Sequence, residues 1–185
     1  LYTGGQVAEI YSNTTSVKDF AAILAYECES YNTAYCVPER NGIGIELIRI
    51  LFEDLEYENI WSQPDKKGQL GLQVTPQNRG TLLAALDEFT RNGTVKVNSE
   101  RTVRELTTFI VTDSNKIEAE EGYHDDLVMS LAIACFAFRD ILIHTPLAHS
   151  LNESIERPLS NNELFIQTSS REISREDLKW VYGPR

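Results

Sequence analysis

The side chains best suited to chemistry in this sequence are carboxylates at two places. Glu39 follows a short apolar run, and Asp125-Asp126 stand next to His124 and open an apolar stretch. Magnesium and manganese are hard cations that prefer oxygen, so a phosphodiester-cleaving site needs several carboxylates converging from different elements. Two such ions, roughly 3.5 to 4 Å apart, would activate a water and stabilise the leaving oxygen of an in-line displacement. No side-chain nucleophile is then required. His124, which could polarise a phosphate or orient a ligand, and Lys116 are accessory candidates. Each piece also has a plainer reading. Acids in a helix's first turn are stabilised by the macrodipole and serve as caps. A glutamate after a strand can be a solvated turn residue, and a histidine beside two acids is often only a hydrogen-bond partner.

The elements that must position these residues follow from periodicity. Gly4-Gly5 predicts a hairpin turn, with a strand over Val7 to Tyr11 after it. Ser16 and Asp19 form a capping box ahead of Val17, Phe20, Ala21, Leu24 and Cys28 at helical spacing. Ala34 to Val37 fits a buried strand, which Pro38 should end by removing a ladder donor, so Glu39 sits at a strand's C-terminal end. Asn41 to Gly44 turns the chain into a second helix with Ile43, Leu47, Ile50, Leu51 and Leu55 as its apolar face. Trp61 to Gln69 has loop composition. Thr75-Pro76 starts a helix through Leu82, Leu83, Leu86 and Phe89 that Asn92-Gly93 stops, and Val95 to Val97 alternates like a strand. Ser99 caps a helix expected to carry Val103, Leu106, Phe109 and Ile110. The last core helix, with Leu127, Leu131, Ala134, Cys135 and Phe138, begins at the two aspartates. The pattern is mixed α/β without internal repeats.

The chain's 185 residues suit one domain with a short tail. Its formal charge of -11 argues against a protein that coats nucleic acid electrostatically. The charge is uneven, however. Residues 62–116 carry 8 basic and 6 acidic groups and form the only net-positive stretch. Lys66, Lys67, Arg79, Lys96, Arg101 and Arg104 are its candidates for phosphate contact, with ordinary surface charge as the plainer reading. Cys28, Cys36 and Cys135 lack zinc-site spacing and fit a reducing compartment. No uncharged run is long enough to span a bilayer, so no membrane partner is expected.

Read as text, Gly122-Tyr-His-Asp-Asp-Leu-Val-Met-Ser-Leu-Ala132 resembles the last nuclease motif of tailed-bacteriophage large terminase subunits. Cys36-Val-Pro-Glu-Arg-Asn-Gly-Ile-Gly44 is similar to that family's strand-end glutamate and the asparagine-glycine turn after it. Between them, Gln77-Asn78-Arg79 to Leu86, Gly93 to Ser99, and Arg104 to Phe109 resemble the connecting region, and the likeness covers roughly residues 5 to 140.

The resemblance implies a ribonuclease-H-like mixed sheet flanked by helices over 1–142, with a C-terminal extension over 143–185. It implies a two-metal endodeoxyribonuclease using Mg2+ or Mn2+, which cuts concatemeric viral DNA during genome packaging. Glu39 then matches the second acidic ligand and Asp125-Asp126 the third, Asp126 being preferred as the essential one. The implied partners are double-stranded DNA, the ATPase domain of the same polypeptide, the portal and the small terminase, in the host cell cytoplasm during virus assembly. Two departures stand out. The family's first metal aspartate lies on an opening strand upstream of Leu1, and no GxxxxGK[ST] phosphate loop occurs. A fragment missing its first strand, with weak or absent cleavage, is therefore expected. The competing readings are a junction-resolvase-like nuclease and a catalytically inert docking module for the portal or small terminase.

Overall fold

The computed structural model describes residues 4–63, 68–111 and 117–144. It is mixed α/β, with five α-helices and small sheets among the described residues. It resolves into two compact units. The first joins the segment before Tyr11 to the chain from Pro76 onward, and the second spans Tyr11–Thr75 among described residues.

In the first unit, β1 (Gly4–Gly5) runs parallel to β2 (Val95–Lys96), with Gln6 N donating to the Lys96 carbonyl at 2.9 Å. The expected Gly4-Gly5 turn is therefore a strand. Its glycines answer to close approach: a Cβ on Gly4 would stand 1.9 Å from the Thr94 carbonyl oxygen. The strand expected over Val7 to Tyr11 joins no ladder among the described residues. Instead, side chains tie this segment down. Asn98 N and Ser99 N donate to Gln6 Oε1, and the fully buried Thr102 hydroxyl accepts from Gln6 Nε2 at 3.2 Å and donates to Glu9 Oε2 at 2.9 Å.

Helix α3 (Pro76–Arg91) starts at the proline, and Gly93 lies just beyond its end at φ +68. Its Leu82, Leu83, Ala85, Leu86 and Phe89 are buried, and α3 packs on α5 (Asp126–His144). Phe89 meets Phe138 edge to face with centroids 5.8 Å apart, and Arg139 lies over the Phe136 ring. Because α4 (Glu100–Thr107) also packs on α5, the buried set of α5 is broader than one stripe. It is Val128, Met129, Ala132, Ile133, Cys135 and Ala137, while the expected Ala134 is exposed. Ser99 caps α4 as its residue type predicts, accepting from Arg101 N and Thr102 N. The helix is shorter than its apolar pattern suggests. Phe109 and Ile110 leave it for β3 (Phe109–Val111), antiparallel to β4 (Ile117–Ala119), and Val103 is exposed. Period alone did not separate these β-branched and aromatic residues from a helix's last turn.

In the second unit, Ser16 caps α1 (Val17–Ser30), its Oγ accepting from Asp19 N while donating to the Asp19 carboxylate. Helix α2 (Gly44–Arg49) runs into a π-helical turn over Ile50–Asp54, closed by Leu55 N on the Ile50 carbonyl. Ile48, Ile50 and Leu51 are inside, while Ile43, the N-cap residue of α2, is 72% exposed, against expectation. Ala21, Ala25, Cys36, Tyr57 and Ile60 complete this core.

Candidate functional site

Glu39 is delivered by an extended segment of the second unit. Cys36 bridges Ile60 in parallel through Cys36 N on the Asn59 carbonyl and Trp61 N on the Cys36 carbonyl. Three residues on, Glu39 bridges Leu72, also in parallel. Pro38 does not end the pairing as expected. It lacks only its own N–H, and its carbonyl accepts from Leu72 N at 2.9 Å while Arg40 N donates to the Leu72 carbonyl at 2.7 Å. The segment changes partner and continues. The Glu39 carboxylate is exposed and accepts one hydrogen bond, from Asn41 Nδ2 at 2.8 Å. Asn41 also donates to the Val74 carbonyl, which fixes the turn beside the glutamate. Gly44 lies against the Glu39 backbone with no room for a side chain.

Asp125 and Asp126 are delivered by α5 in the first unit. Asp125 occupies the N-cap position, its carbonyl accepting from Met129 N at 2.8 Å. Local rules assign such a side chain to the helix's free amides. Instead, the half-buried Asp125 carboxylate pairs with Arg79 of α3. The amides are taken from a different helix. Glu105 Oε2, on α4, accepts from Leu127 N at 2.8 Å and Val128 N at 3.2 Å. Burial pushes the Glu105 carboxyl above its usual range; the two amides pull against that shift, and the Asp126 and Asp125 charges add to it. Asp126, the first helical residue, is exposed, and its carboxylate takes no hydrogen bond or ion pair from the described residues.

Sequence reasoning missed Glu105, and no local signal marks it. Local spacing points to Asp125 as the cap, while the group that caps lies 22 residues before the Leu127 amide it accepts from. Among the expected phosphate contacts, Arg79 is committed to Asp125, Lys96 is exposed, and Arg104 is 81% exposed with Glu100 at 3.8 Å. Arg101 and His124 are exposed as well. Lys66, Lys67, Lys116 and residues 145–185 lie outside the described residues. In the second unit, Cys28 and Cys36 are hydrogen-bonded thiols beside Tyr57; the bond from Cys36 brings Cys28 down to about 7, and Cys36 moves the other way.

The donors available are hard. Asp126 and Glu39 each present an accessible carboxylate, the ligand type that suits magnesium, manganese and other oxygen-seeking ions. Among the described residues no three His, Cys, Asp or Glu side chains gather into a complete cage. The chain is similar to a phage nuclease. The large terminase nuclease of thermophilic phage G20c, a crystal structure with bound cobalt, matches at a TM-score of 0.54 and 27% identity. The match covers 68% of this chain and 64% of that one, so the chain spans somewhat less than two thirds of its neighbour. No protein-family model matches. Among the described residues, no helix is long and apolar enough to cross a membrane.

Proposed function

We propose that this chain is the nuclease module of a phage large terminase, built on a ribonuclease-H-like fold, that cuts concatemeric DNA during packaging. The single observation that carries the reading is the structural likeness to the G20c large terminase nuclease, at an identity above what fold alone would leave. The cobalt in that neighbour supports a divalent-ion site of oxygen donors here. Glu39 in the second unit and Asp125 and Asp126 in the first are the proposed ligands, and magnesium or manganese would supply water activation and charge stabilisation. The chain's own contribution is positional. The Leu72 pairing and the Asn41 bond fix Glu39, and the start of α5 fixes the aspartates. Lys96, Arg101 and Arg104, in the net-positive stretch, would meet phosphates of double-stranded DNA. The ATPase domain of the same polypeptide, the portal and the small terminase are the proposed partners.

The test is manganese-dependent nicking of supercoiled plasmid, run on the chain and on a version extended by a preceding strand that supplies an aspartate. Glu39→Gln and Asp126→Asn should each lower the rate at least about 100-fold, the loss expected when a group acting on the developing charge is removed. Cleavage by folded protein that both substitutions leave intact would end the proposal.

A further inference from the structure

The first turn of α5 poses a conflict that the structure resolves through other helices. A helix opening with two aspartates ordinarily spends a carboxylate on its own free amides, and a carboxylate so engaged has fewer lone pairs for an ion. Here neither aspartate does this. Leu127 N and Val128 N are both satisfied by Glu105 Oε2, and Asp125 is held by Arg79. The three supporting contacts come from α3 and α4, the two helices that pack on α5.

We infer that Glu105 is a positioning residue for metal binding: by capping α5 from α4 it leaves the Asp126 carboxylate free for an ion and fixes the turn that aims it. The inference rests on the nuclease reading, and it divides the aspartate pair. Asp126 is the ligand, and Asp125 anchors the turn through Arg79. Without the Glu105 acceptor, the amides at 127 and 128 recruit the nearest remaining carboxylate, that of Asp125 or Asp126. Either choice disturbs the ligand, by occupying it or by releasing Arg79.

Two substitutions isolate the acceptor from the charge. Glu105→Ala and Glu105→Gln both remove a negative charge near Asp126, but only glutamine keeps an oxygen that can accept from the two amides. Manganese binding by calorimetry should be about 10- to 100-fold weaker in Glu105→Ala, the usual loss for an outer-shell partner, and largely recovered in Glu105→Gln. Hydrogen exchange at Leu127 and Val128 should accelerate in the alanine variant only. Equal affinities for the two variants, with exchange faster in alanine, would make Glu105 a structural cap and overturn the inference while leaving the nuclease reading intact. Strand-extended protein that binds no manganese, or binding there that survives Asp126→Asn, would overturn both. If Glu105→Ala does not fold, Glu105→Asp gives the comparison with wild type at constant charge and shorter reach, and unchanged affinity there overturns the inference.

Discussion

Gly44→Ala separates helix propensity from packing where the start of α2 lies against the Glu39 backbone. Gly44 is the first residue of α2 and is buried, and an added Cβ would stand 1.8 Å from the Glu39 carbonyl oxygen and 3.0 Å from its carbon. Reaching even 3.0 Å, the shortest separation real Cβ atoms show, requires a shift of 3.0 minus 1.8, or 1.2 Å. The Glu39 peptide cannot move freely, because Arg40 N and the Pro38 carbonyl are bonded to Leu72 on either side of it. Overpacking of this kind costs about 1–3 kcal/mol, and each strained hydrogen bond adds about 0.5–1.5 kcal/mol. Alanine's helix preference returns at most about 1 kcal/mol, so the clash wins by roughly 1–3 kcal/mol. Urea unfolding of Gly44→Ala should show a lower midpoint, and manganese-dependent cleavage should fall with it as Glu39 is displaced. Gly80→Ala is the control. It lies within α3 with nothing within 4 Å of its added Cβ, and should be stabilising by about 0.5–1 kcal/mol. A Gly44→Ala protein as stable as wild type would refute the reasoning.

Three further outcomes are expected. A double-mutant cycle of Arg79→Ala and Asp125→Asn should give a coupling of about 0.5–3 kcal/mol. The exposed, solvent-screened Arg91–Asp87 pair should couple more weakly, and equal couplings would remove the anchoring role of Asp125. Glu105, whose carboxyl is raised by burial and by the Asp126 and Asp125 charges, favours folding most below the ordinary glutamate range and loses that contribution as pH rises through its folded-state value. Wild type should therefore gain stability relative to Glu105→Gln as pH falls through that window, and a difference that grows in the opposite direction would contradict the assignment. Cys28, brought down to about 7, should alkylate near neutral pH well before Cys36 and Cys135, both buried, the latter pushed up to about 11. Mass spectrometry of iodoacetamide-treated protein reads the order, and early labelling of Cys135 would count against the packing of α5.

The sequence by itself determined whatever depends on near neighbours along the chain. Ser16, Ser99 and Pro76 announce their helices because a cap or first-turn residue acts within three positions, and the structure starts α1, α4 and α3 where they indicate. The text around Asp125-Asp126 likewise pointed to a terminase nuclease, and the solved neighbour is one. Tertiary structure decided what distance along the chain conceals. Gly4-Gly5 carries turn composition, yet its partner, β2, is some 90 residues away, and close approach to Thr94 explains the glycines instead. Ile43 shares the apolar spacing of α2, yet it stands at the N-cap before the first helical residue and is left on the surface. The different surroundings of the two aspartates are likewise hidden in their own segment. They arise because α3 and α4 bring Arg79 and Glu105 to the start of α5, and hydrogen bonds follow proximity in space, not order in the chain.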